Sequence, residues 1–182
     1  TTSETPIVSK KPGLHFGIDN ISNGNITSVS DVVTKVKPTL VSISVVSTNL
    51  DIFLRAISKP SAGSGITIDP SGYIVTNFHV IDGAENLTVT LPDGRTFPAN
   101  IIGVDQLSDL AVIKIEANDL PAASFGDSDK TEIGDWVIAM GNALNLKGGP
   151  TVTLGILSAK GRTIDTQSGT LYDLIQTDAA IN

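Results

Sequence analysis

Two side chains in this sequence are of the types, and at the kind of spacing, that could move a proton to and from a nucleophile. His79, in "TNFHVIDGA", follows a short apolar segment and opens what reads as a helical turn. A side chain there can project into a cleft from a rigid base. Asp109, in "LSDLAVIKI", stands at the mouth of a strongly apolar strand. A carboxylate beside such a core is costly unless something hydrogen-bonds to it, and an imidazole N–H is a suitable donor. An Asp that fixes the tautomer of a His and stabilises the imidazolium is two-thirds of a nucleophilic triad. Each residue also has a plainer reading. A lone His after a strand is usually structural or exposed, and an Asp before one usually caps the strand start; for Asp109 spacing alone favours that reading.

The remaining reactive residues carry less. His15, the only other histidine, lies in a polar N-terminal stretch. Ser128, in "GDSDK", is followed by Asp129 and Lys130, side chains that would crowd and repel a developing oxyanion. Ser64, in "SAGSG", falls within an expected strand and lacks the sharp strand-to-helix turn of a nucleophile elbow. Both serines read as structural. "LNLKGGP" fits neither a phosphate loop nor a dinucleotide fingerprint and reads as a loop. Asn20, Asn25 and Asn86 open N-x-S/T sequons, which arise readily by chance in Ser/Thr-rich sequence. No His and carboxylate pair has zinc-ligand spacing, so neither a metal site nor a cofactor is expected.

Composition says what kind of scaffold must hold the pair. Of 182 residues 40% are hydrophobic, mostly Val, Ile, Leu and Ala; aromatics are 4%, and 17 Gly with 9 Pro interrupt the chain at short intervals. That favours many short strands and a mainly β protein. The net charge is −7 with no basic cluster, which argues against nucleic acid as a partner. No apolar run approaches the roughly 18 residues of a membrane span. The chain opens with Thr1, not Met, as a processed or excised segment would, leaving room for a signal or membrane anchor upstream. With no cysteine, neither disulfides nor thiol chemistry is available.

The order of elements follows from local pattern. Residues 1–27 read as an arm without a core of its own. "SVSDVVTKVKP" offers Ser28 or Ser30 as N-cap, valines on one face and Pro38 as stop, which makes one short helix. Strands are expected at 39–46, 62–68, 73–76, 86–91, 95–103 and 110–115, with "DPSG" and "PDG" as turns. Six antiparallel strands can close into a small barrel and remove exposed edges. A second series, at 136–140, 151–159 and 171–176, supplies three more strands.

The stretch "GSGITIDPSGYIVTNFHVIDGAENLTVTLPDGRTFPANIIGVDQLSDLAVIKI", continued in order by "FGDSDKTEIGDWVIAMGN", "TVTLGILSAKGR" and "LIQTDAAIN", resembles the HtrA/DegP-type trypsin-like serine proteases over roughly residues 30–182. The resemblance implies a chymotrypsin-like, all-β double barrel. The first six-stranded barrel would occupy 28–120 and carry His79 and Asp109 of the triad; 121–182 would form the N-terminal half of the second. The nucleophilic serine, and most of the oxyanion site, would follow directly after Asn182, so residues 1–182 alone are expected to be inactive. Ala143 and Leu144 depart from the family's G-N-P-x-G loop. Further implications are unfolded polypeptide substrates, a role in protein quality control, a homotrimer joined through the N-terminal region with the arm around Phe16 as a contributor, a downstream PDZ module and an extracytoplasmic location. The rival reading is a non-catalytic chymotrypsin-like module that binds polypeptides or scaffolds an assembly.

Overall fold

The computed structural model describes residues 28–50, 56–141, 149–166 and 169–181. The N-terminal arm with His15, Phe16, Asn20 and Asn25, the loop around Ala143 and Leu144, and Asn182 lie outside the described residues.

The helix expected near the start of the fold is α1, Val29–Val36. Ser28 is its N-cap, its hydroxyl accepting the Asp31 N–H at 3.2 Å. Asp31 in the first turn and Lys35 in the last oppose the helix dipole with the right signs. Pro38 sits in a short 3-10 turn, Lys37–Thr39, that ends the helix and hands the chain to the first strand.

Six strands follow: β1 Leu40–Leu50, β2 Ala56–Asp69, β3 Tyr73–Asn77, β4 Asn86–Thr90, β5 Thr96–Asp105 and β6 Leu110–Ile115. They close into an antiparallel barrel in the order β1-β2-β3-β6-β5-β4. Closure leaves none of the six with an open edge. Alternation decides what faces inward: in β6, Ala111, Ile113 and Ile115 are buried while Val112 and Lys114 are not. Ile113 stands opposite Ile74 of β3 and Ile101 of β5, and Ile43 of β1 opposite Val89 of β4. Ile43, Ile74, Val89, Ala111, Ile113 and Ile115 form one apolar core with Val41, Val45 and Ile81, while Ile101 is exposed.

Between β3 and β4 the chain makes one helical turn, α2, Phe78–Ile81. Ile81 is buried in the barrel core, and Val80 packs against it. Gly63 of β2 makes room for that packing: a Cβ there would stand 2.5 Å from Val80 Cγ1. Gly63 therefore fixes how closely α2, and His79 on it, approaches the barrel wall.

The second series forms a three-stranded antiparallel sheet, β7 Trp136–Gly141, β8 Thr151–Thr166 and β9 Gly169–Thr177, in the order β7-β8-β9. Sheet and barrel agree with the chymotrypsin-like architecture, six strands closed and the second sheet partial. Ser128 lies in an exposed 3-10 turn, Ser128–Lys130, ahead of β7. Lys160 of β8 gathers the carbonyls of Ser128, Asp129 and Thr131 at 2.8, 3.2 and 3.0 Å, tying that turn to the sheet.

β1 runs on to Leu50 where the pattern ends at 46, and two more strands run further still than alternation suggests. β2 begins at Ala56 where the pattern begins at 62, and β8 continues to Thr166 where it stops at 159. Residues 161–166 of β8 are all exposed, so they bury nothing that hydropathy could register. Main-chain pairing such as Ile164 with Leu171, and side-chain bonds such as Arg162 Nε to Gln176 Oε1 at 3.0 Å, carry that part of the ribbon instead.

Candidate active site

The site is built where β3 ends and β6 begins. These strands are neighbours, and Asn77, the last residue of β3, stands opposite Leu110, the first of β6. His79 is two residues past Asn77 and Asp109 one before Leu110, so barrel closure alone brings them to the same rim. The two residues are 30 apart in the chain, yet the imidazole Nδ1 lies 2.7 Å from Asp109 Oδ2.

Four further bonds shape this contact. The His79 main-chain N–H donates to Asp109 Oδ1 at 2.9 Å. The Phe78 N–H donates to the Asp109 carbonyl at 3.0 Å. Asn77 Nδ2 donates to that carbonyl and to Asp109 Oδ2, both at 3.1 Å. The main chain of Asp109 adopts φ +55°, the left-handed region that Asp tolerates better than most residues. In that conformation its carbonyl and carboxylate both face the start of α2.

The electrostatics follow from these donors. Partial burial pushes the Asp109 pKa upward. The His79 main-chain N–H, the His79 ring through its hydrogen bond and its charge, and the Asn77 amide together pull it down further, so the group lies below the usual carboxylate value. An ionised Asp109 accepts a proton-bearing Nδ1, which leaves Nε2 as the basic nitrogen of the neutral ring. Nε2 has no hydrogen-bond partner among the described residues, and the His79 side chain is 70% exposed against 27% for Asp109. A ring held at one nitrogen by an anion and open at the other can take a proton from an incoming hydroxyl and return it to a leaving group.

Beside the ring opens a cleft of about 260 Å³. His79, Leu107 and Asp109 line it from the barrel, and Thr166, Gly169 and Leu171 from the β8–β9 ribbon. Both sheets thus contribute walls. Leu107 is 79% exposed, an apolar side chain without cover at the cleft mouth.

The structure brings His79 and Asp109 together as the sequence suggests. Ser64 lies within β2, where its carbonyl accepts the Thr76 hydroxyl at 2.8 Å, and Ser128 remains in its surface turn. Sequence reasoning passed over Asn77, although it stands in the same "TNFHV" segment: its double bond to Asp109 depends on barrel closure. Among the described residues no group of three or more His, Cys, Asp or Glu is arranged to hold a metal ion.

Comparison with known proteins gives a consistent result. The sequence profile described as "Trypsin-like peptidase domain" matches residues 63–182. A Chlamydia pneumoniae protein named "Probable periplasmic serine endoprotease DegP-like" is 51% identical over 120 residues, covering 66% of this chain and 24% of its own length. A Rickettsia prowazekii protein of the same name is 43% identical over 162 residues, covering 88% of this chain and 30% of its own. Among solved structures, a variant of the HtrA-type protease AlgW with a decapeptide superposes with a TM-score of 0.78 at 35% identity, over 85% of this chain and 52% of that one. The chain thus spans 24% and 30% of the length of these two curated relatives.

Proposed function

The chain belongs to the trypsin-like peptidase family, in its HtrA/DegP-type group, and from that premise we propose that it forms the part of a serine endopeptidase that supplies the general base and its orienting acid. His79 takes the proton of the nucleophilic serine and then gives it to the leaving amine; Asp109 holds the ring in the required tautomer and stabilises the imidazolium. The serine, with the oxyanion donors, is expected from residues following Asn182. The observation that carries this reading is the 2.7 Å contact between His79 Nδ1 and Asp109 Oδ2, in a residue pair that lines the cleft.

Substrates are extended or unfolded polypeptides, which can enter a cleft between two sheets as an added strand, and the cellular role is protein quality control. The decapeptide with the AlgW variant is a precedent for peptide binding in a structurally similar protein. The curated relatives are named periplasmic, which supports an extracytoplasmic location. No described helix is long and apolar enough to cross a membrane. A homotrimer joined through the N-terminal region and a downstream PDZ module complete the proposal.

The test is covalent labelling. A fluorophosphonate probe should modify the protein when its sequence extends through the serine, and His79→Ala should abolish that labelling while leaving the melting temperature near that of the parent. Labelling that persists in His79→Ala would remove the base from this account.

A further inference from the structure

The carboxylate that orients His79 must itself be oriented, and a residue outside the pair contributes to this. Asp109 sits at the exposed end of a strand, in a left-handed conformation, with its side chain 27% accessible. Such a side chain is free to rotate unless something fixes both ends of the short link between its main chain and its carboxylate. The His79 donors act on the carboxylate alone. The Phe78 N–H acts on the carbonyl alone. Asn77 Nδ2 reaches both, at 3.1 Å to Asp109 O and 3.1 Å to Oδ2.

The chemistry of the amide suits that task. An Asn NH₂ carries two hydrogens, so it can serve two acceptors at once, whereas a hydroxyl carries one. Turning the amide over would set its carbonyl oxygen against two acceptor oxygens, so the network fixes the orientation. Asn77 belongs to β3 and Asp109 precedes β6, so the clamp spans two paired strands and moves only if the barrel rim opens.

We propose that Asn77 is the positioning residue of the site, its side-chain amide bridging the Asp109 carbonyl and carboxylate so that Oδ2 is presented to His79 Nδ1. Asn77 touches no substrate in this account. It acts through Asp109, and the inference rests on the reading of His79 and Asp109 given above.

Nuclear magnetic resonance on the 182-residue chain tests it without needing activity. In the unmutated protein, both hydrogens of Asn77 Nδ2 should shift with the same midpoint as the Asp109 carboxyl carbon when pH is lowered, and amide hydrogens indifferent to that midpoint would overturn the clamp. In Asn77→Ala the Asp109 midpoint should rise and the downfield Nδ1–H signal of His79 should broaden or vanish. Asn77→Asp, which cannot donate and adds a like charge, should raise the midpoint further. In a protease extended through its serine, Asn77→Ala should lower kcat about tenfold with little change in KM, the scale of one charge-assisted hydrogen bond. If Asn77→Ala leaves the Asp109 midpoint and the His79 signal unchanged while His79→Ala raises that midpoint, the clamp is wrong and the His79–Asp109 pair stands. If His79→Ala also leaves the midpoint unchanged, the pair itself fails and the clamp with it.

Discussion

The carboxylate of Asp109 holds His79 at two points: Oδ2 lies 2.7 Å from the ring Nδ1, and Oδ1 accepts the His79 main-chain N–H at 2.9 Å. One anion therefore orients both the imidazole and the first turn of the helix that carries it. Changes at Asp109 should consequently disturb ring tautomer, ring position and helix start together.

The first expected consequence is kinetic. In a protease extended through its serine, Asp109→Asn keeps the shape of the site but presents an amide where a carboxylate accepted Nδ1–H. The wrong tautomer is then favoured, and kcat should fall by about ten-thousand-fold. KM for an unfolded protein substrate should change little. Steady-state kinetics at neutral pH measure both, and a loss below about tenfold would show that Asp109 does not set the tautomer.

The second concerns acid. Asp109 has a folded-state pKa below its ordinary value, so its ionised form favours the native state. That contribution is complete above the unfolded-state pKa of about 4 and disappears as pH falls through the lower, folded-state value. Asp69, Asp93 and Asp105, all held down mainly by hydrogen bonds to neighbouring turn residues, act with the same sign. Urea unfolding of the wild-type chain should therefore show stability falling from about pH 5 to pH 2, with a shallower fall in Asp109→Asn. Equal slopes in the two proteins would remove Asp109 from this balance.

The third tests the seat of α2. Gly63→Val places a branched side chain where even a Cβ would stand 2.5 Å from Val80 Cγ1 and 2.7 Å from Cγ2. The strand cannot retreat, because Gly63 is paired with Ile43 of β1. Helix α2 must shift, at a cost of about 1–3 kcal/mol. Thermal unfolding should report the destabilisation, and loss of the downfield His79 Nδ1–H signal should report the displaced ring. Gly63→Ala should do the same to a lesser degree.

The fourth concerns the segment leading to Asn182. Asp178 Oδ1 accepts the Ile156 N–H at 2.7 Å, Thr153 donates its hydroxyl to the Ala180 carbonyl at 2.7 Å, and Ala179 is buried. This close approach over β8 needs a glycine at 155, since a Cβ there would overlap the Ala179 main chain and the Asp178 carboxylate. Gly155→Ala should lift the segment and speed hydrogen exchange at the Ile156 amide, and Asp178→Ala should speed it as well. Unchanged protection in both variants would contradict the packing described here.

The fifth concerns the serine most easily mistaken for the nucleophile. Ser128 lies in a surface turn whose carbonyls are held by Lys160. The 182-residue chain should take up no fluorophosphonate at Ser128, as peptide mapping after labelling would show. Modification there would overturn its structural assignment.

The amino-acid sequence by itself determined the nine strands and the order in which they occur. These are local matters: alternation in "LAVIKI" selects which side chains turn inward, and Ser28 and Pro38 bound a helix through bonds and φ restrictions within a few residues. The motifs around His79 and Asp109 were equally legible, together with the family that they resemble. Hydropathy could not register the full length of β2 and β8, because pairing in the exposed ribbon of β8 saturates main-chain groups without burying apolar ones.

Only the tertiary structure decided how the rim is assembled. The left-handed turn at Asp109, the double reach of Asn77, the fit of Val80 over Gly63 and the seat of Ala179 on Gly155 each join residues distant in the chain. A hydrogen bond across 30 residues has no local signature. It exists because closing β3 against β6 sets the two ends side by side, where donor and acceptor geometry is fixed to a few tenths of an ångström.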